Sequence, residues 1–372
     1  MNIITPKYEI IEQSYGDELI KDMFKHIEVC GRTCYKSEDK ITKDSYKKFI
    51  KMLEEAEHGA MLEHGTVYLT IPLGTPLDDP QYMWKIDIVR FFQDNKYSKV
   101  NKEVINENVK VEIKGYGMRT QASATFYYIT TNWRVIFEAQ HKKLIKYFLN
   151  DYHIDKETLK DSVLQWMTKP SEKHEKRYTI KFTYHLAVAR DVNRHRVQSI
   201  GEESTRYCNY SKEKFGGKLN YIEPVFLSDK EKQILNNPNP LSIECLCEDV
   251  AIGSNREWGA IDYFIFALEA CEFAYLNLIE QFGWKPQQAS LVLPLDTKTE
   301  SVHTAFISDW CHFFNLRALG TTGAPRPSAK EVAWPLMEEF LSKEWINLDM
   351  IDSQKYLEIK SKFSNIEEYI KK

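Results

Sequence analysis

Between residues 41 and 57 the apolar positions recur every three to four residues. Tyr46, Phe49, Ile50, Leu53 and Ala56 make one stripe opposite a Lys/Glu face, which predicts an amphipathic helix. It is expected to end near Gly59, with His58 at its C-terminal end. Residues 67–71 read as a strand, and 180–188, which alternate imperfectly, as a buried strand leading into a run of arginines. Residues 260–282 are apolar around most of their girth (Phe264, Ala267, Leu268, Cys271, Ala274, Tyr275, Leu278, Ile279), and Gly283 closes them. Such a helix belongs in a core or a subunit interface. Two further helices are expected over 301–319 and 328–342.

The stretch 73–178 is less regular. Pro72, Pro76, Asp78-Asp79-Pro80 and the polar run 94–115 mark loops, while 144–149 and 159–167 read as helical. The aromatic run Phe126-Tyr127-Tyr128 and the segment from Thr130 to Arg134 suggest packing onto the rest of the chain. Neither internal repeats nor low-complexity tracts break the sequence.

A length of 372 residues, 43% of them hydrophobic and 28% charged, is enough for a sizeable core and is ordinary for a globular protein. The formal net charge of −4 argues against a general nucleic-acid binder, so any basic cluster needs a local explanation. No run approaches the ~18 apolar residues of a membrane span. Residues 1–6 lack a signal-peptide core. Seven cysteines, an odd number, fit a reducing cytoplasm better than a disulfide framework. Cys30-x3-Cys34 and Cys245-x-Cys247 miss the usual zinc spacing, and no metal is expected.

The chemistry concentrates between Asn193 and Tyr207. Arg194, His195 and Arg196 stand in a row, followed by Ser199, Glu202, Glu203, Ser204, Thr205 and Arg206. Adjacent arginines repel unless an anion or a carboxylate lies between them. One reading is a solvated, salt-bridged strand; the other is a phosphate site, with the small residues letting backbone N–H groups approach an oxyanion. Ser204 lacks the spacing of a Ser-His-Asp nucleophile and is read as a binding residue. Cys208 is read as buried and inert rather than as a thiolate.

The spacing Arg-His-Arg, then Glu-x-Ser-x-Arg-Tyr, closely resembles the signature of flavin-dependent thymidylate synthases. Glu57-His58-Gly59-Ala60-Met61-Leu62-Glu63-His64 upstream, and 291–294 and 312–317 downstream, resemble further motifs of that family in the same order. The resemblance covers about 8–72, 178–225 and 260–340. It implies an α+β fold, a central mixed sheet flanked by helices, in one domain spanning 1–372 with an insertion at about 73–178. It implies reductive methylation of dUMP at C5 with FAD bound, NADPH and methylenetetrahydrofolate as co-substrates, and a cytoplasmic homotetramer. By the same resemblance Arg317 is catalytic. His58, Arg194, His195, Arg196, Glu202 and His312 contact the cofactor. Asp191, Arg194, Glu202, Glu203, Ser204, Thr205, Arg206, Ser290 and Arg317 hold the nucleotide.

The chain departs from the pattern in places. Asp191 stands where the family usually has glutamine, and Ser290 where it has arginine. Phe306 and His312 replace asparagines, and the segment 324–328 replaces a glutamine. The pocket would be about two charges less positive, so Arg326 compensates or the substrate differs. An aspartate can accept from a cytosine amine, which keeps dCMP open; UMP stays open too. A non-catalytic flavin- or nucleotide-binding relative and an oligonucleotide-binding module are the readings from other classes.

Overall fold

A computed structural model describes residues 1–76, 79, 81–105, 109–113, 117–121, 124–141, 163–237 and 258–372. The strands among them are β1 (Asn2–Ile4), β2 (Lys7–Ile11), β3 (Thr66–Leu73), β4 (Lys99–Ile105), β5 (Val109–Ile113), β6 (Gly117–Gln121), β7 (Ala124–Asn132), β8 (Arg177–His185), β9 (Ser199–Glu202), β10 (Asn220–Ile222) and β11 (Lys298–Phe306). The central sheet runs β2-β8-β11-β9, with every neighbouring pair antiparallel. Parallel pairing, expected within that sheet, joins β1 to β10 instead. A second sheet runs β3-β7-β4, and β5 pairs with β6. With helices packed around these sheets, the fold is α+β.

Two sequence expectations change here. Residues 298–306, partly assigned to a helix over 301–319, form the central strand β11, paired along its length with β8. Both faces of β11 are covered, so Ser301 through Phe306 are all buried and no alternation is left to mark a strand. The polar run 94–115 contains β4 and β5 rather than only loops. β4 is an edge strand whose polar side chains face water while its backbone pairs with β7, and charged edges are a common guard against aggregation.

The helix expected at 41–57 spans Ser45–Glu55 and buries Tyr46, Phe49, Ile50 and Leu53. Glu57 then takes a positive φ of 52°, and the His58 N–H donates to the Leu53 carbonyl at 2.9 Å, closing that helix as expected while His58 also holds the N-cap position of the short helix Gly59–Leu62. The helix Ala260–Glu280 ends as expected before Gly283, whose φ is +67°. It is one-sided: Ile261, Ile265, Leu268 and Tyr275 are buried, while Tyr263 and Phe273 are exposed. The helix Pro327–Ser342 falls where 328–342 predicted it. The helix expected at 144–149, and the start of that at 159–167, lie outside the described residues.

Residues 73–178 supply β4 through β7 and the helices Tyr82–Gln93 and Trp133–His141. Tyr127, Ile129, Trp133 and Ile88 join Met23, Ile27, Phe49 and Leu53 of the N-terminal helices in one apolar core. The aromatic run 126–128 thus packs inward through Tyr127. A second core lies between β8, β11 and the C-terminal helices, with Phe182, Trp310, Phe313, Phe314 and Phe340 buried in it. The helix Leu186–Val192 continues β8, and the helix Ile307–Phe314 continues β11. Two segments leaving one sheet therefore end side by side, and the candidate site forms there.

Candidate functional site

Arg317 lies in a five-residue π-helical turn, Asn315–Leu319, that follows the helix Ile307–Phe314 and ends at Gly320 with φ +70°. Widened turns of this kind recur at functional sites because they re-aim a side chain without ending the helix. The Arg317 Nε–H donates to Nε2 of His195 at 3.1 Å, and Nη2 donates to the backbone carbonyl of Asp191 at 2.6 Å. A guanidinium carries five N–H groups, so three remain available. Burial lowers the pKa of Arg317, the nearby Asp191 charge raises it, and Arg194 lowers it again. Asp191, Arg194, His195 and Arg317 are therefore electrostatic neighbours.

His195 is buried, and its ring lies edge-on to His312 (5.8 Å between centroids) and Phe313 (5.1 Å). Desolvation first, then Arg317 and His312, push its pKa down to about 4. A neutral ring is what the geometry requires, since Nε2 needs its lone pair to accept from Arg317.

The Asp191 carboxylate turns to Arg326, whose Nε donates to Oδ2 at 3.0 Å. Arg326, which the sequence offered as a replacement cation for a ligand, thus pairs with Asp191. His312 is exposed.

One strand further on, Glu202 accepts from Asn193 Nδ2 at 2.8 Å and from the Thr299 hydroxyl at 3.3 Å. Burial raises its pKa, and those two donors offset part of the rise. Glu203 points the other way. Its buried carboxylate accepts from Tyr210 OH at 3.1 Å and Lys298 Nζ at 2.7 Å. Lys298 also pairs with Glu300, which Lys36 and Lys181 approach as well. Burial works against ionisation of Glu300, but Lys298 and Lys36 hold its pKa well below the usual carboxylate range.

Arg194, Arg196 and Arg206 are exposed, while Ser204 and Thr205 are half-buried. Among the described residues, the side chains of Arg194 and Arg196 and the hydroxyls of Ser204 and Thr205 make no hydrogen bond or ion pair within the chain, and the Arg206 side chain only stacks on Tyr207 at 5.5 Å. His58 is exposed, its Nδ1 3.3 Å from the Tyr35 hydroxyl. Ser290 opens a 3₁₀ turn and donates to the carbonyl of Gln287; none of its hydrogen bonds reaches Arg317 or Asp191.

The structure therefore gathers Asp191, Arg194, His195, His312 and Arg317 at one point, with Glu202 beside them through Asn193. Ser290 and His58 are tied to other elements, and Glu203 faces the interior. Sequence reasoning passed over Asn193, Thr299 and Lys298, which fix the two glutamates. Asn193 was the legible one, since it adjoins the arginine cluster. Among the described residues, no group of three His, Cys, Asp or Glu is arranged to hold a metal ion, and no helix is long and apolar enough to cross a membrane.

An arginine-rich turn at the edge of the central sheet, faced by the half-buried Arg317 from the π-helical turn, gives this α+β protein a cationic site. A family model described as thymidylate synthase complementing protein matches residues 130–343, more than half of the chain, and the chain belongs to that family of nucleotide methyltransferases. The match takes in the arginine cluster and Arg317 and begins after His58. None of the curated proteins matches. Among solved structures, the UMP/dUMP methylase PolB from Streptomyces cacaoi, bound with 5-Br dUMP, is similar at 13% identity, covering 92% of this chain and 93% of that one with a TM-score of 0.33. Thymidylate synthase X from Helicobacter pylori with FAD and dUMP is similar at 14% identity, 44% and 66% coverage and a TM-score of 0.29.

Proposed function

We propose that this chain transfers a one-carbon unit to C5 of a pyrimidine nucleotide, with dUMP the first substrate to test, FAD as cofactor, and methylenetetrahydrofolate and NADPH as co-substrates. The observation that carries the reading is Arg317: a partly buried cation, fixed by two acceptors, with three N–H groups to spare. Making C5 nucleophilic requires negative charge to build on the pyrimidine ring. A preorganised guanidinium stabilises that charge without reorganising during the reaction. No protein nucleophile is needed. Burial raises the thiol of Cys208 to about 11, so it stays protonated at neutral pH.

The unpaired arginines suit FAD and a nucleotide phosphate alike. Charge-assisted bonds to phosphate are among the strongest available, and among the described residues no carboxylate pairs with Arg194 or Arg196. Arg194, His195 and Arg196 are assigned to the flavin. Ser204, Thr205 and Arg206 are assigned to the nucleotide, and Glu202 to the boundary between the two. FAD, when bound, supplies the hydride chemistry. Glu202, with its raised pKa, can hold a proton or accept a hydrogen bond at that boundary.

The dCMP reading rested on Asp191 accepting from a cytosine amine. With that carboxylate engaged by Arg326, dUMP and UMP are favoured. A single domain over 1–372 and a shared-site homotetramer remain part of the proposal, as does a cytoplasmic setting.

The test is the visible spectrum of the purified protein, followed by titration with dUMP, UMP and dCMP. A flavin band that shifts with dUMP, together with dTMP formation from the folate and NADPH, supports the reading. A protein that takes up no FAD would overturn it.

A further inference from the structure

Two arginines converge on Asp191. Arg317 donates to its backbone carbonyl at 2.6 Å, and Arg326 holds its carboxylate at 3.0 Å. Both arginines come from one short stretch of chain. Arg317 sits in the π-helical turn, and Arg326 is the N-cap of the helix Pro327–Ser342. The loop between them is tightly folded. Thr321 N–H donates to the Asn315 carbonyl and Gly323 N–H to that of Gly320. A Cβ on Gly320 would come within 2.7 Å of the Pro325 ring. A compact turn thus brings both arginines to the same aspartate.

We propose that Arg326 is a positioning residue that holds the Asp191 carboxylate off Arg317. This rests on the reading of Arg317 as the cation facing the pyrimidine. Asp191 already lies close enough to favour the charged form of Arg317, and its main chain touches the Arg317 side chain. Without Arg326, the Arg317 guanidinium, already bonded to the Asp191 main chain and within reach of its charge, is a cation this carboxylate can take. A bidentate Arg–Asp pair would then occupy the N–H groups meant for the ligand. Arg326 therefore keeps Arg317 unoccupied. As a surface pair, half-exposed on the arginine side, it contributes little to folding.

The idea makes an unusual double-mutant prediction, because a second substitution should repair the first. Arg326→Ala should weaken dUMP affinity and kcat/KM by about 10- to 10²-fold, the worth of one charge-assisted hydrogen bond. Asp191→Asn in the same chain removes the competing charge and should restore both to within about threefold of Asp191→Asn alone. Measurements are made on FAD-reconstituted protein, with thermal unfolding alongside. A double variant as poor as Arg326→Ala, or an Arg326→Ala protein with unchanged affinity, overturns the proposal.

A second readout needs no substrate: modification of Arg317 by phenylglyoxal, followed by peptide mass spectrometry. Arg326→Ala should slow it, and the double variant should bring the rate back. If the unmutated protein binds no pyrimidine nucleotide, the functional reading fails, yet this rate pattern still decides whether Arg326 frees Arg317. Equal rates in all three proteins would refute it.

Discussion

Arg317 and His195 are 122 positions apart in sequence, yet the Nε–H of one donates to Nε2 of the other at 3.1 Å. The bond ties the turn after β11 to the turn after β8, and it uses a histidine that burial keeps neutral. A family motif residue expected to touch the cofactor is thereby also the acceptor that orients the proposed catalytic cation.

Replacing Arg317 with Ala should abolish turnover while FAD remains bound, because the arginine stabilises charge on the substrate and is not assigned to the flavin. Flavin absorbance and a single-turnover assay on the same sample check this. Retained turnover would remove Arg317 from the mechanism.

Among the described residues Arg194 and Arg196 form no ion pair, so replacing both with Ala should leave the unfolding midpoint nearly unchanged. FAD affinity should fall by at least about tenfold. The remaining affinity should depend less steeply on salt. Equal affinity in the variant would place the flavin elsewhere.

Lys298 lies buried between Glu203 and Glu300. Its own charge is disfavoured by burial, and the two carboxylates outweigh that and raise its pKa. Lys298→Met leaves those carboxylates without their shared cation and should cost about 3–5 kcal/mol in urea unfolding. Lys298→Arg should cost much less. A neutral effect of the Met variant would mean that Tyr210 suffices for Glu203, and Lys36 with Lys181 for Glu300.

Burial lowers the pKa of His303 to about 3, and the nearby His195 pushes the same way. A base depressed in the fold leaves full stability above its unfolded pKa near 6.5. Stability is then lost as pH falls, because the unfolded chain takes up a proton that the folded one refuses. His303→Gln removes that uptake. The variant should gain on the parent protein by up to about 1.4 kcal/mol per pH unit between pH 6.5 and 4. Parallel stability curves would show that the fold does not depress the His303 pKa.

The sequence by itself determined the family, the arginine cluster and the amphipathic helices. The Arg-His-Arg and Glu-x-Ser-x-Arg-Tyr spacing is local, and the stripe Tyr46, Phe49, Ile50, Leu53 follows from helical period alone. Positive φ at Gly283 was legible for the same reason: it is a property of one residue and its neighbours.

Tertiary structure alone decided the rest. β11 could not be read because a strand covered on both faces loses its alternation, and polar β4 is a strand only because β7 offers it a backbone to pair with. Likewise, nothing near Asp191 in sequence announces that Arg326 will take its carboxylate and Arg317 its carbonyl. Charge counting put Asp191 and Ser290 in one pocket; the fold gives the first an arginine and the second a turn of its own. The two arginines reach Asp191 through contacts between segments more than a hundred residues apart, and a local pattern carries no record of those.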